Sequence, residues 1–229
     1  KETLDCFDKW MESQRRKKSW IGVSGSWRII SQQVVDDTAL LVRYMLSKGA
    51  GILTGGALGI DYIATEIVLK EGNPLDQLCI VLPINRGAFM EHFTNSYYRD
   101  GINRTQADFL SRQIHYINTH FPAIIFDKTP FNETEFLIPD NNHYRKISYH
   151  FRSGLVGYGC DGLVGLCVNN SKGVRYTEEV VKKMHKPSFV HPYTINPLSK
   201  KVINNYDQLY IPKLQKNYPL ESVLTTKNF

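Results

Sequence analysis

The sequence predicts an α/β protein: a doubly wound, Rossmann-like and mostly parallel sheet with helices on both faces. Three observations predict it. Apolar runs at Trp20–Ser24, Gly51–Thr54, Gln77–Pro83 and Asp161–Val168 lack polar alternation, as expected of strands buried on both faces. Stretches with helical spacing separate them, the pattern of β-α-β units. Two of these runs end directly in glycine-bearing turns that lead toward a helix.

In chain order, Lys1–Ser19 is a basic N-terminal segment that carries Arg15-Arg16-Lys17-Lys18. A run of this length is usually a solvated helix end, and a nucleic-acid contact is the sharper alternative. The first strand, Trp20–Ser24, breaks at Ser24-Gly25-Ser26-Trp27-Arg28. Ser26 can donate to a phosphate there and Arg28 can pair with one bidentately. Trp27 is expected to pack against its own domain, with base stacking as the alternative. Val34–Lys48 has helical spacing, and Gly49 suits the residue after its end.

The next strand runs into Thr54-Gly55-Gly56-Ala57-Leu58-Gly59-Ile60-Asp61. Glycines here allow positive φ and leave no Cβ in the way of a ligand. The following helix, to about Glu71, aims free N–H groups and the positive end of its dipole at the turn. A phosphate site and a plain strand-to-helix turn both fit this stretch. For Asp61, helix capping and a sugar contact are the competing roles, since a carboxylate is a poor neighbour for phosphate.

Gln77–Pro83 supplies a third strand. Residues 85–142 read as an insertion and a possible lid: two polar helical pieces to His120, a short strand at Pro122–Phe126, then a loop with Pro130 and Pro139. His143–Tyr158 is helical on the spacing Tyr144, Ile147, Phe151, Leu155. After the strand at Asp161–Val168, Asn169–Tyr176 reads as a third loop, with Ser171 and Gly173 as phosphate donors. A helix at Thr177–His185 and a strand at Lys186–Pro192 close the domain, leaving 193–229 as a C-terminal extension. Ligands in such sheets bind beyond the carboxyl ends of the strands, so the loops are expected to share one rim.

Composition narrows the function classes. With 229 residues and 42% hydrophobic content, the chain can bury a core without staples. A charge of +6, from 28 basic and 22 acidic residues, favours acidic ligands or DNA. No segment is long enough to span a membrane, and Lys1–Lys18 lacks a signal-peptide pattern. Four scattered cysteines without CxxC fit a reducing, cytoplasmic setting. No histidine pattern suggests a metal, and no motif implies a cofactor.

The strings IGVSGSWR, GILTGGALGIDYIATEIVLKEG and LCIVLP resemble the SLOG family, which joins the DNA-processing protein A group to the LONELY GUY phosphoribohydrolases. The glycine signature stands at Gly55, Gly56, Ala57, Gly59, Ile60 and Asp61. The later segment YHFRSGLVGYGCDGLVGLCV looks like the one in which the hydrolases carry a catalytic arginine, and Arg152 holds that place. The resemblance covers about Trp20–Pro192 and implies a nucleotide or nucleotide-derived ligand, self-association into a homo-oligomer, and cleavage of an N-glycosidic bond in a nucleoside monophosphate. Glu178 or Glu179 would stand for the family's glutamate, with Thr177 beside them as a ligand-binding residue. The hydrolases' Pro-Gly-Gly-x-Gly-Thr-x-x-Glu loop is absent, however: the equivalent stretch from Asn169 to Thr177 has one glycine. A helix-dipole role for the two glutamates therefore competes with catalysis. The same resemblance leaves two alternatives: a DNA-binding protein of the DNA-processing type, or a sensor of a signal nucleotide.

Overall fold

A computed structural model describes residues 1–14, 19–96, 102–199, 201–203, 206 and 209–211. Six parallel strands form one sheet in the order β4-β3-β2-β1-β5-β6. They are β1 (Trp20–Gly25), β2 (Gly51–Thr54), β3 (Leu78–Val81), β4 (Ile125–Phe126), β5 (Gly162–Val168) and β6 (Ser188–Tyr193). The expected fold class is therefore observed, with every strand pairing parallel. From β1 the chain steps outward to β4, then returns to lay β5 against the other side of β1. Strand order reverses between β1 and β5, and this opens a crevice at their carboxyl ends.

Helices cover both faces because the inner strands are apolar on both. β2 and β3 are buried along their whole length, whereas the edge strand β6 is half-exposed. On one face, α2 (Gln32–Ser47), α3 (Ile60–Glu71), α5 (Arg86–Ser96) and α6 (Arg104–His120) pack around Ile52, Ile63 and Ile80. On the other, α1 (Glu2–Gln14), α8 (Asn142–Gly159) and α9 (Lys172–Lys183) enclose Leu53, Cys79 and Val81. Two short helices, α4 (Pro74–Gln77) and α7 (Glu133–Leu137), lie in connections.

The N-terminal segment is built into this second layer. Phe7 is fully buried and meets the ring of Phe126 edge-on at 5.0 Å. The basic run at 15–18 lies outside the described residues. At the other end, the chain returns over α2: Val202 bridges to Ser31, the Ile203 amide donates to the Ile30 carbonyl, and Tyr206 is buried between Tyr62 and Phe109. The C-terminal extension thus wraps the domain as far as it is described.

Two elements depart from the sequence reading. α9 starts at Lys172, five residues before the expected Thr177, so the third loop is only Asn169–Ser171. Asn169 and Asn170, at φ 50° and 54°, turn the chain in the left-handed region, which asparagine tolerates better than most residues. Gly173 then sits inside the helix and breaks nothing. In α8 the expected apolar stripe is only partly the buried one: Leu155 is buried, but Ile147 is 46% exposed and Arg145 and Ser148 lie inside. Arg145 can be buried because its guanidinium donates to the carbonyls of Phe136, Ile138 and Pro139 and to Asn142 Oδ1. It clamps the loop after α7 to α8.

Candidate functional site

The crevice at the β1/β5 reversal opens into a cavity of about 560 Å³. Five segments wall it. The β1–α2 loop brings Ser24, Gly25, Trp27 and Arg28, and the β2–α3 loop brings Ala57, Leu58 and Asp61. The turn into α9 brings Ser171, Lys172 and Gly173. One face of α8 brings Asn142, Arg145, Lys146, Tyr149, His150, Arg152 and Ser153, and α5 adds His92 and Phe93. The three loops expected to share a rim do share it.

The centre of the site is an ion pair. Arg152 Nη1 lies 3.1 Å from Asp61 Oδ2, and both side chains are largely buried. The same oxygen accepts the amide N–H of Gly55 at 3.1 Å and that of Ala57 at 3.4 Å. Burial pushes the Asp61 carboxyl above the usual carboxylate range, against the opposing pull of Arg152 and the two amides. Gly55 is required by this arrangement: a Cβ there would stand 1.2 Å from Arg152 Nη1. Replacement Gly55→Ala is expected to expel Arg152 from the pair and destabilise the protein by about 2 kcal/mol, checked by chemical denaturation.

The glycine turn is therefore not an open phosphate cradle. Gly55 and Ala57 give their N–H groups to Asp61, Gly56 donates to Thr54 Oγ1, and Gly59 donates to the Tyr206 hydroxyl at 2.7 Å. Gly59, at φ 72°, also lets the turn press on the neighbouring loop, where a Cβ would lie 2.3 Å from the Ser26 carbonyl oxygen.

Of the residues singled out in the sequence, Ser24, Gly25, Arg28, Ala57, Asp61, Arg152, Ser171 and Gly173 line the cavity. Thr54, Gly55, Gly56 and Gly59 shape the turn behind its wall. Ser26 is turned inward and ties β1 to β5: its hydroxyl donates to the Val168 carbonyl and accepts the Val168 amide. Thr177 is buried in α9, bonded to the Gly173 carbonyl. Glu178 and Glu179 do not reach the cavity. Glu178 is held by Arg175 at 3.0 Å and Lys182 at 2.6 Å, and Glu179 is exposed. Burial works against the Glu178 charge, but these two cations outweigh it and hold its carboxyl below the usual range. Glu179→Gln is expected to change stability by no more than about 0.5 kcal/mol in the same denaturation.

The sequence reading missed Lys172 and most of the α8 face. Asn142, Lys146, Tyr149 and Ser153 recur at spacings of three and four, so a polar stripe on a helix in this position was the available signal. The electrostatics of the opening follow from exposure. Arg28, Lys146 and Lys172 are exposed, and none of the three makes an ion pair among the described residues. Arg28 lies 4.1 Å over the Trp27 ring, which leaves its edge free to meet an anion. Asp61 is the one carboxylate among the described lining residues. No cluster of metal-binding side chains occurs among the described residues, and none of their helices is long and apolar enough to cross a membrane.

No family model and no curated protein matches the chain. Solved structures do, and two of them bear on the fold. One is DNA processing protein A from Helicobacter pylori, described for its unique single-stranded DNA binding mode: TM-score 0.50 and 21% identity over 82% of this chain and 70% of that one. The other is DNA processing protein A from Streptococcus pneumoniae: TM-score 0.50 and 17% identity over 79% of this chain and 53% of that one. Identity this low establishes the fold alone. The chain has the Rossmann-like fold of the DNA processing protein A structures, in agreement with the SLOG resemblance of its glycine-rich turn.

Proposed function

We propose that the chain binds single-stranded DNA, with the cavity at the β1/β5 crevice receiving part of the strand and the exposed cations around it meeting the phosphates. The observation that carries this reading is that the exposed cations Arg28, Lys146 and Lys172 line the same cavity as the aromatic side chains Trp27 and Tyr149. Phosphate-directed cations interleaved with stacking surfaces are what a single strand requires, and they are independent of base sequence. The single-stranded DNA binding described for the H. pylori protein of like fold adds support.

Cleavage of a glycosidic bond has less support. A hydrolase needs a carboxylate free to steady the sugar cation or activate water. Asp61 already accepts three hydrogen bonds through one oxygen, and the two glutamates lie elsewhere. A free nucleotide is the second reading, favoured by the concave shape and a volume suited to a small ligand.

Fluorescence anisotropy with a labelled oligothymidylate tests the proposal. Binding at low salt that weakens steeply as salt rises, and that exceeds binding to duplex DNA, is the expected result. No binding even at low salt overturns it. Calorimetry with dTMP examines the second reading separately.

A pH dependence follows. Burial, with Lys146 nearby, holds the His150 imidazole below its usual value, so it is neutral at pH 7. Protonation, at a pH below the ordinary imidazole range, adds a cation at the cavity wall. The raised Asp61 carboxyl acts in the same direction by losing its charge earlier than usual as the pH falls. Oligothymidylate affinity at constant ionic strength is expected to rise about threefold as the pH falls from 7 through the range in which His150 protonates.

A further inference from the structure

Arg145 is a buried cation without a counter-ion. It is 5% exposed and makes no ion pair among the described residues. A guanidinium carries five N–H donors. Four of them go to neutral oxygens: Nη1 donates to the Phe136 and Ile138 carbonyls, and Nη2 to the Pro139 carbonyl and Asn142 Oδ1. The Nε–H meets no acceptor among the described residues. Neutral oxygens solvate the charge without cancelling it, and a buried charge left uncancelled is costly. Arg145 lines the cavity, so an anion can reach it from there. Arg152 repeats the pattern: its Nη1 is held by Asp61, and its Nε–H is buried without an acceptor. Asp61 is the one carboxylate among the described lining residues, and Arg152 already neutralises it.

The two arginines lie seven residues apart on α8, a rise of about 10 Å along the helix. Tyr149 stands between them at spacings of four and three, so the three share one face, and all three line the cavity. The Arg152 guanidinium carbon lies 5.6 Å from the Tyr149 ring centroid. The heads are anchored on different segments, Arg145 on the chain after α7 and Arg152 on the β2–α3 turn, so each offers its own point to an anion.

We propose that Arg145 and Arg152 are paired phosphate-binding points that hold the phosphates on either side of one nucleotide, with its base against Tyr149. This rests on the DNA-binding reading and deepens it. The unit recognised is a nucleotide esterified at both its 5′ and 3′ oxygens, as inside a strand, and not a free monophosphate. A phosphate at either arginine gains the attraction of a desolvated cation and a charge-assisted bond from its Nε–H. A nucleotide with one phosphate leaves one of the two cations unmatched. Tyr149 supplies the aromatic neighbour that a base between them requires.

The test is calorimetry of the full chain with thymidine 3′,5′-bisphosphate, thymidine 5′-monophosphate and thymidine 3′-monophosphate, beside ¹⁵N spectra of the arginine Nε–H groups. The bisphosphate is expected to bind at least about tenfold more tightly than either monophosphate and to move the Nε–H resonances of both Arg145 and Arg152. Arg145→Lys keeps a cation and a donor for the loop carbonyls but has no Nε–H. It assigns the Arg145 signal, and it is expected to lower bisphosphate affinity to about that of the tighter monophosphate. The combined Arg28→Ala, Lys146→Ala, Lys172→Ala variant is expected to keep the ratio between the ligands; a ratio lost there would place both phosphates at the mouth and overturn the proposal. It is equally overturned if the wild type binds the bisphosphate no more tightly than the tighter monophosphate, or if the Arg145 Nε–H does not move. Lower stability of Arg145→Lys with unchanged affinity would make Arg145 a clamp alone, against the proposal. If that variant folds poorly, the wild-type titrations decide. Oligothymidylate binding without a bisphosphate preference removes the paired points and leaves the strand reading standing. A bisphosphate preference without strand binding supports the points and removes the strand reading.

Discussion

Replacing Gly59 by alanine is expected to destabilise the protein by about 4 kcal/mol, at the high end for a single substitution. Two costs add. The residue sits at φ 72°, where an L side chain is strained, and its Cβ would approach the Ser26 carbonyl oxygen to 2.3 Å and the Trp27 Cα to 2.8 Å. Both contacts are to backbone, so no rotamer change relieves them. Relief requires the β1–α2 and β2–α3 loops to separate, and Ser26 resists this through its two hydrogen bonds to Val168. Separation would also pull the Gly59 amide from the Tyr206 hydroxyl and loosen the returning C-terminal segment. Chemical denaturation monitored by tryptophan fluorescence checks the magnitude; a loss under about 1 kcal/mol would mean that the loops move apart freely.

Replacing Arg152 by alanine is expected to damage both stability and binding. Asp61 would remain buried with its amide bonds but without its counter-charge, at a cost of about 3 kcal/mol. The cavity would also change from cationic to nearly neutral at its floor, and oligothymidylate affinity is expected to drop at least about tenfold. Pairing it with Asp61→Asn separates the two effects. The double variant is expected to recover most of the lost stability, since the uncompensated charge is gone, but little of the binding. Full recovery of binding would mean that Arg152 serves only to neutralise Asp61.

Much of the fold was legible because the strands are uniformly apolar. Ile52–Leu53 and Leu78–Val81 have no polar face to confuse the reading, and Gly49 and Gly72 mark helix ends where the structure has them. The start of α9 was not legible. Gly173 resembles part of a loop, whereas the turn is made by two asparagines, residues that occupy many other conformations. In α8 the spacing of Tyr144, Ile147 and Phe151 identified a helix but misplaced part of its buried face. Arg145 goes inside because carbonyls from a distant loop meet it, and local periodicity carries no information about them.

The site was legible as a location more than as a chemistry. Glycine turns at strand ends predicted the rim, and Arg152 and Asp61 were both candidates. Their pairing across 91 positions was not foreseeable from spacing, and it changes the meaning of the turn. A motif that reads as a phosphate cradle is here filled by the chain's own carboxylate. Glu178 and Glu179 sit only a turn or two beyond the cavity rim in α9, yet helical geometry carries them away from the opening toward Arg175, Lys182 and solvent.

The most direct measurement is the salt dependence of oligothymidylate affinity for the wild type and for the combined Arg28→Ala, Lys146→Ala, Lys172→Ala variant. If the mouth cations meet phosphates, the logarithmic slope is expected to be about −2 to −3 in the wild type and to fall by about 2 in the variant, with affinity reduced and the melting temperature unchanged. An identical slope in the two proteins would contradict the account, because the strand would then lie on some other surface.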